Sequence, residues 1–217
     1  MKVIDIVNIN DIKAPEEMPE NIPQAIFDKQ MVLAYKYAEI EGMGDLLETR
    51  NTNLDTLNGQ VWIKDFSWRV TEELTEAFEG IEFPEMFDEQ HYWEEVTDAL
   101  HFFVELCIIA GYEAKDLPAV PMAKAREYTL SPKMDGSVRY DIFQTILYLG
   151  LACNCLKNKK WKQTQMLTDR KKFKMYIDQA WRNLIDIYLS AGLSLQDVYN
   201  LYFKKNAVNT FRQNSKY

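Results

Sequence analysis

Long runs of helical apolar periodicity, broken by few glycines and prolines, constrain this chain more than any other feature. Between 91 and 109 the apolar positions 96, 99, 100, 103, 106 and 107 recur at the three- and four-residue spacing of one helix face. Eight glycines and seven prolines are too few to divide 217 residues into short strands, and no segment shows two-residue alternation. An all-α fold is expected, with helices over about 24–40, 61–78, 91–109, 140–156, 171–190 and 194–209. Pro15, Pro19 and Pro23 make 1–22 an extended segment, and Gly42-Met43-Gly44 and Asn58-Gly59 mark turns in a polar connection over 41–60. Pro118, Pro121, Pro132 and Gly136 make 112–138 an irregular excursion. Ser194-Leu195-Gln196-Asp197 resembles a capping box with Asp in place of Glu. A chain of this length is expected to form one domain over 1–217.

Two of these helices carry paired acids, Glu73-Leu74-Thr75-Glu76 and Glu95-Val96-Thr97-Asp98. Residues three apart share a helix face about 4.5 Å apart along the axis. If the two helices face each other, four carboxylates converge. Such a cluster repels itself until a cation enters or some members take protons. Both pairs border apolar stripes, Glu73 beside Val70, Leu74, Ala77 and Phe78, and Asp98 within an otherwise apolar run. Acids placed there need a partner, which a solvated face would not require. Oxygen donors without His or Cys select Mg²⁺ or Mn²⁺ over Zn²⁺, and Mg²⁺ sites usually act on phosphates.

Charge is distributed in a way that suits such a ligand. Residues 1–152 carry 12 Lys and Arg against 29 Asp and Glu, while 153–217 carry 13 against 4, within a net charge of −8. An acidic half that holds metal and a basic half that holds phosphate fit a polyanion bridged by a cation. Overall acidity argues against a protein that coats nucleic acid. No run of 18 apolar residues occurs and the opening MKVIDIVNIN is unlike a signal peptide, so a soluble intracellular protein is expected. Cys107, Cys153 and Cys155 lack zinc-site spacing and read as reduced core thiols.

Near the C-terminus, Lys205, Asn209 and Arg212 fall at spacings of four and three, and so share a helix face. Two cations and an amide on one face suit a triphosphate and sugar, with Arg able to grip phosphate oxygens in pairs.

With these signals the chain resembles the dimeric dUTPase family, which includes phage dCTPase/dUTPase enzymes and belongs with the all-α, MazG-like NTP pyrophosphatases. The resemblance rests on Glu72-Glu73-Leu74-Thr75-Glu76, on Glu95-Val96-Thr97-Asp98 followed by Leu100-His101-Phe102, and on the tail from Lys205 to Gln213. Gln30 followed by Leu33 resembles the family's first motif, whose Gln sits near the base. The likeness covers most of 24–217 and is weaker across 112–150. The tail departs from the family pattern at Lys216, which stands where relatives carry glycine before Tyr217.

The resemblance implies a helical bundle of the all-α NTP pyrophosphatase type. It also implies a homodimer in the cytoplasm, the host's if phage-encoded. The activity it implies is Mg²⁺-dependent hydrolysis of dUTP, or of dCTP, to the monophosphate and pyrophosphate, with Mn²⁺ as a substitute ion. Glu73, Glu76, Glu95 and Asp98 would hold metal, and Glu73 or Glu76 would orient and deprotonate the attacking water. Lys205 and Arg212 would hold phosphates, Asn209 the sugar or phosphate, and Lys162 a further phosphate. Gln30 would contact the base, with Trp68 packed near it. A free Gln can turn its amide over, so either pyrimidine edge could be read.

Three rivals stand beside this reading. A broader MazG-like pyrophosphatase, clearing unwanted nucleotides, would also turn over purines. A non-enzymatic helical protein whose acids face solvent would gain no stability from Mg²⁺. A di-iron bundle would need Glu-x-x-His pairs, and neither acidic motif has one. His101, three residues after Asp98, reads as a packing residue or an outer partner rather than a ligand.

Overall fold

A computed structural model of the chain describes residues 9–119 and 136–214. Among them are six α-helices and three short 3₁₀ turns, and no strand. The helices are α1 (Ile22–Glu41), α2 (Leu57–Glu82), α3 (Glu89–Ile109), α4 (Gly136–Cys155), α5 (Arg170–Ser190) and α6 (Leu195–Asn214). The expected all-α class is observed. Residues 120–135 of the expected excursion, and Tyr217, lie outside the described residues.

Local chemistry explains the helix ends. Asn21 caps α1 by accepting from the Gln24 N–H at 3.1 Å, with Pro23 in the first turn, where its missing donor costs nothing. Gly42 stops the helix at φ +68°, a left-handed conformation that favours glycine. Asp88 caps α3 and Asp169 caps α5. At α6 the Ser194 N–H donates to Asp197 Oδ2 (2.8 Å) and the Asp197 N–H donates to Ser194 Oγ (3.3 Å), the reciprocal bonding expected of a capping box.

Four boundaries differ from the sequence reading by four or five residues, one of them the end of α2, which reaches Glu82 where 78 was expected. α2 starts at Leu57, so Asn58-Gly59 lies inside its first turn and forms no separate bend. Thr56 caps that turn by accepting from the Gly59 N–H at 3.1 Å. Glycine is required there by close approach, since a Cβ at 59 would lie 2.3 Å from the Asn53 carbonyl oxygen. Gly136 opens α4 instead of ending the excursion, and α6 continues five residues beyond the expected stop at 209. At α4 the added turn brings Val138 into the core, whereas the last turn of α6 buries no further residue.

α3 is the central helix, with 14 of its 21 residues buried. α2 packs along it, α4 packs along α5, and α1 and α6 lie against each other and against α3. Stacked Trp93–Tyr188 and Phe103–Trp181 rings join α3 to α5, and the Tyr188 hydroxyl donates to the Val96 carbonyl at 3.0 Å. One hydrophobic cluster includes residues from all six helices. Cys107 and Cys155 are buried, Cys153 is half-buried, and all three are free thiols. Among the described residues, no helix is long and apolar enough to cross a membrane.

Candidate active site

The α2–α3 pairing sets two acidic helix faces against each other. Glu73 from α2 and Glu95 and Asp98 from α3 are half-buried, and each places a carboxylate oxygen within 4.8 Å of the other two. Burial, then a hydrogen bond to Glu95 and the charges of Asp98, Glu95 and Glu76, pushes the Glu73 carboxyl up to about 9. Crowded acids without a cation relieve their repulsion by keeping a proton. Only three of the four expected carboxylates are gathered in this way. Glu76 is exposed one turn further along α2, and its charge still reaches Glu73.

α6 supplies the counter-charge. Lys205 is buried at 4% exposure, with Nζ 2.7 Å from Asp98 Oδ2 and 3.7 Å from Glu94 Oε2. The residue expected to lie open to phosphate is thus also an internal partner of an expected metal ligand. On the outer side, His91 Nδ1 sits 2.9 Å from Glu95 Oε1. Asn209 and Arg212 follow Lys205 along α6 and line a groove of about 850 Å³ against Lys36, Tyr37 and Ile40 of α1. The three tail residues therefore run from the buried carboxylates to an open groove.

A second polar group lies beside the first. Gln30 of α1 is fully buried; its Nε2 donates to Glu105 Oε2 at 2.7 Å and its Oε1 accepts from the Tyr202 hydroxyl at 2.5 Å. The Tyr202 ring stacks on His101, with centroids 4.0 Å apart and planes 10° apart. His101 bonds through Nδ1 to the Thr97 carbonyl at 2.9 Å, and burial lowers its pKa to about 4, so the ring is neutral at neutral pH. Burial pushes Glu105 up to about 8, against the lowering effect of the Gln30 hydrogen bond. Arg69 forks onto Glu41 at 2.8 and 2.5 Å across the neighbouring α1–α2 contact and lies over the Phe66 and Phe102 rings.

The remaining expected residues are more peripheral. Trp68 is 61% exposed on α2, so its ring is free of the core. Lys162 is exposed in the connection between α4 and α5 and belongs to neither polar group. Sequence reading passed over Glu105 and Tyr202. Glu105 did leave a signal, as a lone acid within Phe103-Val104-Glu105-Leu106-Cys107. Tyr202 left none, because a tyrosine on an apolar helix face looks like ordinary core.

A family model described as dUTPase matches residues 71–217. No curated protein and no solved structure matches the chain. The family match covers more than half of the sequence and takes in the three gathered carboxylates, Glu105 and the α6 residues that face them, and the chain belongs to the all-α dUTPase family of nucleotide hydrolases.

Proposed function

We propose that the protein hydrolyses dUTP to dUMP and pyrophosphate with Mg²⁺, at the site formed by Glu73, Glu95 and Asp98. The observation that carries this reading is the convergence of three half-buried carboxylates from two helices. An all-oxygen donor set fits a hard divalent cation, and the proton held by Glu73 is what such an ion would replace. When bound, Mg²⁺ would neutralise charge on phosphate oxygens and make a neighbouring water more acidic. Glu73, Glu95 and Asp98 would hold it, with Glu76 available from the exposed margin.

The chain's own groups do the rest. Lys205 keeps Asp98 oriented through the 2.7 Å ion pair, and in this reading its charge also attracts the phosphates. Arg212 and Asn209 line the groove along which the triphosphate and sugar would lie. Glu73 or Glu76 orients the attacking water and takes its proton. In this reading Gln30 meets the base and Trp68, exposed on α2, packs near it. Lys162, exposed between α4 and α5, is read as a further phosphate contact. We also read the protein as a homodimer, supported by the apolar stripe Tyr140, Phe143 and Leu147, each at least 50% exposed on α4.

Pyrophosphate release from dUTP, dCTP, dTTP and dATP, with Mg²⁺ and with EDTA, tests the reading. Mg²⁺-dependent release from dUTP is expected. Turnover of purines as well would favour the broader pyrophosphatase, and a folded protein silent on all four would remove the proposal.

A further inference from the structure

The link between α4 and α5 is a loop that the fold ties down and yet leaves exposed. Buried Asn158 donates its backbone N–H to Gln60 Oε1 and its Nδ2 to the Asp55 carbonyl, both at 2.9 Å. Its Oδ1 accepts the Met166 N–H at 2.7 Å, which closes 158–166 into a loop. The Thr168 N–H then donates to Asp55 Oδ1 at 2.8 Å. A segment tied at both ends has little conformational freedom left to lose when something binds it. Between Asn158 and Thr168, Trp161 is 79% exposed and Leu167 is 83% exposed. A large apolar ring held in water by a fixed backbone, among charges of one sign, marks a contact surface.

The charge of this surface is positive. Residues 156–173 contain six lysines and Arg170 against one acid, Asp169. Arg170 is paired with Asp55 at 2.6 Å, and Asp169 caps α5 through the Lys172 N–H at 3.0 Å. The six lysines, 157, 159, 160, 162, 171 and 172, form no ion pair among the described residues. Lys64 of α2 joins them, its Nζ donating to the Leu156 carbonyl at 3.0 Å. Burial, then the adjoining Lys159 ammonium, lowers the Lys64 pKa to about 8. Crowded lysines are the reverse of the carboxylate trio, and an anion relieves their repulsion. A groove of about 460 Å³ lined by Lys157, Leu167, Lys172 and Tyr176 opens beside them. Gln60, which holds the link, precedes Glu73 on α2 by about 20 Å along the axis, so this surface is separate from the carboxylates.

We propose that the α4–α5 link, with Lys64, is a binding surface for single-stranded nucleic acid, its phosphates on Lys64, Lys157, Lys159 and Lys160 and one base stacked on Trp161. Unpaired lysines attract a phosphate backbone whatever its sequence, and an exposed indole offers its face to a base that is outside a duplex. Lys159 Nζ lies 6.0 Å from the Trp161 ring centroid, so a base on that ring would sit beside a cation. A duplex hides its base faces, and a run of Asp and Glu brings no flat ring to the indole, so the ring favours the single strand. The net charge of −8 comes from acids concentrated in 1–152, which keep a polyanion off the rest of the molecule and confine it to this face. Strand binding here and nucleotide hydrolysis at the carboxylates stand or fall separately.

The test is fluorescence anisotropy of a labelled oligothymidine of about 12 nucleotides, titrated with the full chain in EDTA so that no metal draws phosphate to the carboxylates. Binding with a Kd of about 1–100 µM is expected at about 50 mM salt, weakening about 50-fold at about 200 mM salt if four phosphates are held. Trp161→Ala should weaken binding by about tenfold. The double variant Lys159→Gln/Lys160→Gln removes two phosphate contacts and should cut the salt effect to about sevenfold. If the lysine variant does not fold, Trp161→Ala, a change at a 79% exposed side chain, decides alone. No binding by the unaltered protein overturns the proposal, as does a salt effect unchanged in the folded lysine variant. Affinity within about twofold of the original in Trp161→Ala overturns the single strand as ligand, because phosphate contacts alone would then suffice. If polyglutamate of the same length also displaces the strand at equal concentration, the surface belongs to an acidic protein instead.

Discussion

The carboxylate trio and the Gln30 group both bury an acid between helices, and they relieve its cost in opposite ways. Burial is the first cause raising Glu73 to about 9 and Glu105 to about 8. Around Glu73 every further influence raises the pKa again, because its neighbours are Glu95, Asp98 and Glu76. Around Glu105 the next influence lowers it, because Gln30 donates a hydrogen bond. One region is an acid cluster in which Lys205 neutralises Asp98 while Glu73 is left among like charges. The other is nearly complete within the protein and holds a shape. The first suits a site that takes up a cation, the second an internal polar support between α1, α3 and α6.

The largest effect should come from breaking the first region. Glu73→Gln and Asp98→Asn should each lower turnover of dUTP by about 10²–10⁴, measured as pyrophosphate release, while circular dichroism shows unchanged helix content. Full activity in either would detach the trio from the chemistry.

Next in size is the link between the regions. Lys205→Met removes the buried partner of Asp98 and should destabilise the protein by about 3 kcal/mol in urea unfolding, because a half-buried carboxylate is left without its cation. No change in the urea midpoint would make Lys205 a pure phosphate ligand.

A smaller effect separates the two acids by pH. Both have a folded-state pKa raised above the ordinary carboxyl value near 4.5, so the folded state holds protons that the unfolded chain has released. Stability of the metal-free protein is therefore highest below about 4.5 from these groups and declines as pH rises through about 8 and 9. Glu73→Gln should flatten the upper part of that decline in EDTA. Mg²⁺ should raise the melting midpoint of the unaltered protein at pH 8 and leave that of Glu73→Gln nearly unmoved. Equal Mg²⁺ stabilisation of both proteins would place the ion elsewhere.

The smallest effect concerns His101. Its pKa, lowered to about 4, makes it a group whose neutral form the fold favours, and its contribution is lost as pH falls from 6.5 through 4. Its ring resonances should stay constant in NMR spectra between pH 8 and 6. A titration near 6.5 would mean that the Tyr202 stack leaves the ring open to water.

Much of this molecule was legible in its sequence, for identifiable reasons. Helix periodicity and cap chemistry are local, so α1, α3 and α5 fall within about two residues of expectation, and the Ser194–Asp197 cap forms as read. The same locality misled at Asn58-Gly59. The turn signal there is a glycine demanded by close approach to the Asn53 backbone, six residues earlier, and only the folded turn shows that contact. Acid spacing put Glu73, Glu95 and Asp98 on faces able to meet, and they do meet. That spacing could not exclude Glu76, whose place depends on how far α2 is rotated against α3.

Sequence by itself determined the helical class, the family and the residue types that converge, because each is written in spacings of three and four along one chain. Tertiary structure alone decided the partners. Lys205 turns inward to Asp98, Glu105 holds Gln30 across 75 residues, and Tyr202 closes the same amide across 172. Hydrogen bonds act over about 3 Å in space whatever the separation along the chain, and only packing brings such atoms within that range.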